Sequence, residues 1–254
     1  MAEIQVEYIN HCGDDLSVVD AARCSFDKVS EWEFPAQVYS MEEYSTEKAL
    51  EDGFYFNQYD GLQRLKDSDK KLIKYLAKHK HTSPFNHAFI SVRVKAPVFV
   101  ARQLVKHKFM PWNEVSRRYV KGEVEFYTPD SWRKAADNVK QGSSEESVDI
   151  SFLGDMESEN GSCIFHPDEV NQIALDTYNT LIDLGVCAEE ARMVLPQSMM
   201  TTWVWSGTVG AFCDMLVLRL DSHTQYETRL VAQKVSGIVR ELFPVSYKAL
   251  VGES

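Results

Sequence analysis

The chain has 254 residues, 44% of them hydrophobic and 26% charged, which describes a globular protein able to build a core and excludes disordered and fibrous classes. With 38 acidic and 27 basic side chains, its formal charge is -11 and its pI is near 5.1. Such a chain is a poor partner for nucleic acid or an anionic membrane, and neither is expected.

Residues Ile4 to Ile9 alternate as a first strand. Residues 26–66 are too aromatic for a solvated linker (Trp32, Phe34, Tyr39, Tyr44, Phe54), so an ordered excursion packed on the body is expected. The periodicity predicts a helix over Asp67 to His79, with Leu72, Tyr75 and Leu76 on one face. From Asn86 to Lys95 the period is two: Ala88, Ile90, Val92 and Val94 point one way, Ser91, Arg93 and Lys95 the other. Pro97 suits the first turn of a helix over Val98 to Lys108, and Pro111 stops it. Residues 134–162 hold seven acids against two lysines and read as a mobile surface insertion.

Pro167 opens the clearest helix, with Val170, Ile173, Ala174, Thr177, Tyr178, Leu181 and Ile182 as its stripe and Gly185 at its close. A short helix is predicted at Ala188 to Arg192. From Thr201 to Leu218 only Asp214 is charged, but threonines and glycines dilute the run, so it reads as a buried helix and not a membrane span. The last helix, Gln225 to Leu242, is preceded by Ser222 at capping-box spacing. Strands early and helices late predict a single α+β domain over 1–254, with a helical C-terminal half.

The five cysteines (Cys12, Cys24, Cys163, Cys187, Cys213) form no Cys-x-x-Cys pair and read as small buried hydrophobes in a reducing compartment. No metal-ligand spacing occurs beyond His79 and His81, read as a cap or surface patch, so no metal is expected. Met1 to Asp20 carries no basic leader with an apolar run, and a cytoplasmic location is expected. Neither a Gly-x-Gly-x-x-Gly run nor a Walker-type loop is present, so any dinucleotide is bound outside the Rossmann style.

The charge is unevenly spread. Arg102, Lys106, Lys108, Arg117, Arg118 and Lys121 stand against Glu114 alone, a cationic island with His107 inside it. Helical spacing would put Gln103, Lys106 and His107 on one face, and an extended segment would put Ser116 and Arg118 on one side. Arginine and lysine mixed with glutamine and serine offer what a phosphate ester needs, charge plus directed donors.

The island's wording is more specific than its charge. Lys106-His107-Lys108, seven residues, then Ser116 resembles the signature of the flavin-dependent thymidylate synthases, which runs Arg-His-Arg, seven residues, Ser. Further blocks in the right order are similar to that family's: Ala21-Ala22-Arg23-Cys24-Ser25-Phe26, His81-Thr82-Ser83-Pro84-Phe85-Asn86-His87, Ala191-Arg192-Met193-Val194-Leu195-Pro196 and Leu218-Arg219-Leu220-Asp221-Ser222-His223. The resemblance implies reductive methylation of dUMP to dTMP, with methylenetetrahydrofolate as carbon donor, NADPH as reductant and FAD as cofactor. It also implies a central mixed or antiparallel sheet flanked by helices, and a homotetramer with shared active sites.

Residue by residue, the resemblance makes Arg219 the catalytic group that polarises the uracil ring. Gln103, Lys106, Glu114, Ser116, Arg117, Arg118 and Arg192, with Arg219, match the dUMP set. His81, Ser83, Lys106, His107, Lys108, Glu114, Thr208, Asp214 and His223 match the FAD set. Both signature arginines are lysines here, and Thr208 and Asp214 stand where the family commonly places asparagines. Lysine keeps the charge but loses the planar fork, and a carboxylate beside a reduced, anionic flavin is unfavourable. Weaker FAD affinity than the family norm follows. The alternative is a non-catalytic nucleotide-binding relative that has lost normal flavin binding. The excursions at 26–66 and 134–162 look longer than the family usually carries.

Overall fold

A computed structural model describes residues 2–34, 54–57, 61–120, 122–137 and 143–252. Eight strands run in chain order as β1 (Gln5–Cys12), β2 (Phe54–Asn57), β3 (Gly61–Arg64), β4 (Phe89–Pro97), β5 (Trp112–Glu114), β6 (Trp132–Ala135), β7 (Ser143–Val148) and β8 (Met200–Thr208) among the described residues. Four of them form the central sheet, in the order β1-β4-β8-β5 and antiparallel at every pairing. β2–β3 and β6–β7 are separate hairpins.

The alternation of β4 behaves as its sequence predicts: Ile90, Val92 and Val94 are buried, while Arg93 is exposed and pairs with Glu7 across the β1 register at 2.9 Å. On the buried face these residues lie opposite Gly207, Trp205 and Trp203 of β8. Trp112 of β5 stacks on Trp203, with ring centroids 4.3 Å apart. β8 corrects the expectation of one buried helix from Thr201 to Leu218. Residues 200–208 alternate, with Trp203 and Trp205 buried and Val204 partly exposed, and tryptophan, valine and threonine suit a pleated surface. It also corrects the reading of strands early and helices late, since a late strand completes the middle of the sheet.

Among the described residues the helices are α1 (Asp15–Arg23), α2 (Asp67–Lys78), α3 (Val98–Leu104), α4 (Pro167–Asp183), α5 (Ala188–Ala191), α6 (Val209–Arg219), α7 (Tyr226–Leu242) and α8 (Pro244–Leu250). α7 packs on β1 and β4, and α6 packs against α7 and α8, giving an α+β fold with an antiparallel sheet flanked by helices. The buried Asp15 carboxylate accepts hydrogen bonds from Val245 N and Ser246 N at 2.8 and 2.9 Å, so the first turn of α8 is capped from the other end of the chain.

Several expectations are corrected in detail. α2 buries Asp69, Ile73 and Leu76, while Tyr75 is half exposed. The helix after Pro97 ends at Leu104, because the chain must reverse into β5; Phe109, with φ of 61°, makes that turn. Gln103, Lys106 and His107 therefore do not share a helix face. Ser116 to Val120 is a turn and not an extended segment, closed by hydrogen bonds from Tyr119 N and Val120 N to the Ser116 carbonyl. Ser222 and Gln225 form no capping box; the Gln225 side chain turns to Gln103 instead.

The 134–162 segment is no structureless insertion where it is described. It carries β7 and a short 3-10 turn at Leu153–Asp155, and β6–β7 is tied to α7 by an Arg133–Glu227 ion pair. Much of the 26–66 excursion lies outside the described residues. The part that is described includes a bridge between Glu33 and Arg64. The cysteines are not a buried set: Cys213 is buried and the other four are exposed, all as free thiols. The α4 stripe is only partly covered, with Tyr178 buried but Val170 and Ile173 exposed. No described helix is long and apolar enough to cross a membrane.

Candidate active site

Arg219 sits in the last turn of α6, where a cation also complements the helix dipole. Its Nε donates to Nε2 of His107 at 3.0 Å, and its Nη2 donates to the Gln103 carbonyl at 3.4 Å. The hydrogen bond requires an unprotonated Nε2 on His107. Burial, and then the charge of Arg219, lower the His107 pKa from 6.5 to about 4, so the ring is neutral at physiological pH. Burial also lowers the Arg219 pKa, but a guanidinium remains charged.

Gln103 is held from the other side. Its Nε2 donates to Oε1 of Gln225, and its Oε1 accepts from the buried Thr228 hydroxyl at 3.2 Å. One amide N–H and one oxygen lone pair remain for a ligand. Gln103 and Arg219 line a cavity of about 1000 Å³ whose wall includes Tyr127, Arg133, His223 and Glu227. Burial and the Glu227 charge raise the Tyr127 pKa to about 12, so its hydroxyl stays a donor. Arg133 donates to Ser143 Oγ at 2.9 Å and lies 4.4 Å from the Tyr226 ring centroid, besides pairing with Glu227. Gln225, Thr228, Tyr127 and this pair escaped the sequence reading, because nothing local joins residues about a hundred positions apart. Gln225 alone carried a signal, which read as a cap.

The other positions expected to hold the nucleotide lie elsewhere on the chain. Glu114, Arg117 and Arg192 border a second cavity of about 600 Å³, together with Arg102 and Lys95. Glu114 accepts from Thr201 Oγ1 at 2.9 Å and from Trp112 Nε1 at 3.1 Å, which fixes both its oxygens. Arg117 donates to the carbonyls of Gly122 and Glu123 at 2.5 and 2.6 Å, so its guanidinium holds the turn in shape. Arg118 pairs with Glu189, and Ser116 Oγ accepts from Arg118 N at 3.3 Å. Arg192 donates to the Glu189 carbonyl at 3.3 Å. Arg118 and Arg192 thus meet at Glu189.

The positions expected to meet the flavin are scattered: His223 lines the first cavity, His107 pairs with Arg219, Glu114 borders the second cavity, and the others lie apart from these. Thr208 caps α6 by accepting from Ala211 N at 3.1 Å and donates to Asn86 Oδ1 at 2.8 Å. That ties the start of α6 to the 3-10 turn Ser83–Asn86. The approach is close: a Cβ on Gly210 would stand 3.0 Å from Asn86 Oδ1 and 3.3 Å from Phe85 Cβ. Asp214 is exposed midway along α6, and burial nonetheless raises its pKa. Lys106 and Lys108 are exposed on either side of His107. His81 lies with His79 around Tyr75, ring centroids 5.9 and 4.3 Å from the tyrosine, and no metal-binding group occurs among the described residues. His223 is turned onto Asp221, Nδ1 to Oδ1 2.9 Å.

The model of the family described as "Thymidylate synthase complementing protein" matches residues 7–245. A flavin-dependent thymidylate synthase of Kosmotoga olearia is 33% identical over 246 residues, covering 97% of this chain and 89% of the relative. One from Thermus thermophilus is 32% identical over 244 residues, covering 96% and 74%. Among solved structures, the UMP/dUMP methylase PolB from Streptomyces cacaoi bound with 5-Br UMP aligns with a TM-score of 0.68 at 25% identity, covering 98% of this chain and 94% of its own. The matched span runs from β1 into α8 and takes in Arg219, His107, Gln103 and both cavities, so the chain belongs to the thymidylate synthase complementing protein family.

Proposed function

We propose that this enzyme, a single domain over 1–254, methylates C5 of dUMP to give dTMP, in the cytoplasm and as a homotetramer. The observation that carries the reading is the Arg219 guanidinium, held charged at the edge of the larger cavity by His107 and Gln103. A fixed cation there stabilises negative charge on a uracil carbonyl oxygen as the ring becomes nucleophilic, at no cost of reorganisation. The remaining donor and acceptor of the Gln103 amide suit the imide edge of a uracil. Ser116, Arg118 and Arg192 offer the phosphate a hydroxyl and two cations, with Arg118 exchanging the Glu189 carboxylate for the ligand.

The split between the two cavities supports a shared site. Arg219 and Gln103 border one, and Arg192 and Glu114 border the other. A nucleotide using all four would either span both cavities of one chain or draw them from two copies, and the second arrangement is the one a homotetramer with shared sites would use.

The donor set fits a flavin dinucleotide at its phosphates and fits less well at Asp214. Lys106 and Lys108 supply exposed cations for a diphosphate, with Ser83, His81 and His223 within the same assignment. When bound, FAD supplies the hydride that reduces the transferred carbon, NADPH being its reductant and methylenetetrahydrofolate the carbon donor. The protein's own part is to hold the nucleotide, to keep His107 neutral and to keep Arg219 charged.

Purified protein incubated with dUMP, methylenetetrahydrofolate, NADPH and FAD is expected to form dTMP, read by chromatography. Omission of FAD should stop it. Retained dUMP binding without any dTMP would favour the nucleotide-binding relative instead.

A further inference from the structure

We infer that His107 is a positioning residue for Arg219, an uncharged acceptor that sets the direction of the guanidinium while leaving its charge intact. The catalytic consequence rests on the dUMP-methylation reading; the hydrogen bond itself does not.

A guanidinium has five N–H donors in a rigid fork. Two of them are spent here, Nε–H on His107 Nε2 and one Nη2–H on the Gln103 carbonyl. Both acceptors come from one short piece of chain, the C-terminal end of α3 and the turn after it. The Gln103 carbonyl is one of the last of α3, which the helix leaves without an internal partner. The His107 ring is placed by its own amide, which donates to the Leu104 carbonyl at 3.1 Å, and by Trp205, whose ring centroid is 6.5 Å away. Gln103 is in turn held by Gln225 and Thr228 of α7. Two contacts along one edge fix the plane of the fork and leave three N–H groups for a ligand.

The chemistry of the acceptor matters. A carboxylate in this place would orient Arg219 as well, but would pair with it and cancel the field that a developing oxyanion needs. A protonated imidazole would repel it. A neutral imidazole holds direction and preserves charge.

The test compares His107→Leu, which removes the acceptor, with His107→Gln, whose amide oxygen reaches the Nε2 position. His107→Leu is expected to lower kcat for dTMP formation roughly 10- to 100-fold, the range of one charged hydrogen bond. The dissociation constant for dUMP should move less than threefold. His107→Gln should recover kcat to within about fivefold of the parent. In an Arg219→Lys background, which has no Nε–H to donate, His107→Leu should cost less than a further twofold. Equal losses in the Leu and Gln variants, or a full further loss in the Arg219→Lys background, would overturn the inference by giving His107 a separate role. An imidazole nitrogen NMR spectrum of histidine-labelled protein at pH 7 tests the geometry without turnover. It should show His107 protonated at Nδ1 alone, and a proton on Nε2 would overturn the inference. A parent protein that makes no dTMP but shows that tautomer would count against the activity and leave the geometry standing.

Discussion

Arg219 and His107 form a hydrogen-bonded pair in which the guanidinium keeps its charge and the imidazole stays neutral. Burial lowers the proton affinity of both, and the charge of Arg219 lowers that of His107 further. Arg219→Ala should lower kcat/KM for dTMP formation at least 100-fold, about 3 kcal/mol of oxyanion stabilisation, checked by steady-state kinetics. The histidine also predicts a pH effect with a definite sign. Its folded pKa, about 4, lies below the free value of 6.5. Between those values the unfolded chain binds more protons, so this contribution to stability is full above 6.5 and declines as pH falls towards 4. Denaturant unfolding of the parent and His107→Leu should therefore show a stability difference that narrows from pH 7 to pH 4.5. Asp214 is a different case, a carboxyl pushed upward by burial on the helix that also carries Thr208 and Arg219. Asp214→Asn is expected to tighten FAD binding about fivefold, on the order of 1 kcal/mol, in a fluorescence titration. Unchanged affinity would remove Asp214 from the flavin's surroundings.

At the scale of elements, the site depends on how α3, α6 and α7 are held together. α7 brings Gln225 and Thr228 to Gln103, and its first turn is anchored by Glu227, which is 3% exposed, on Arg133 of the β6–β7 hairpin. Arg133→Ala would leave a buried carboxylate without its cation, a loss of about 3 kcal/mol by the usual cost of breaking such a pair. Urea unfolding measures it, and Glu227→Gln in the same background should recover part of it. An exposed surface salt bridge would cost under about 1 kcal/mol, so the experiment separates the two readings of Arg133. The hairpin is therefore part of the cavity wall, although its sequence is polar enough to read as a surface insertion.

The whole molecule joins residues distant in sequence and leaves apolar surface at its edge. Asp15 caps α8, and β8 sits between β4 and β5. Val170 and Ile173 of α4 are each 45% exposed, Phe165 is 48% exposed and Met193 75%. Exposed apolar groups of that size, with the two-cavity arrangement, fit association of copies. Sedimentation at micromolar concentration should give four times the 29.0 kDa of the chain. Val170→Glu with Ile173→Glu should shift it to a smaller species if α4 lies in a subunit contact, and a tetramer of unchanged stability would place α4 outside it.

Much of this was legible from local pattern. The period-two run of β4, the opening of α4 at Pro167 and the cationic wording of 106–118 are local, and burial and spacing act on them directly. The five ordered blocks were enough to suggest the family. Residues 200–208 were misread because a buried strand and a buried helix both appear as an apolar run, and only its place between β4 and β5 distinguishes them. Likewise the end of α3 at Leu104 was set by the need to reverse into β5. The pairing of Arg219 with His107, the Gln225 and Thr228 contacts on Gln103 and the Arg133–Glu227 anchor arise from packing across about a hundred residues of chain. Side-chain chemistry is written locally, but the direction of a guanidinium and the proton affinity of an imidazole depend on neighbours that folding alone brings near.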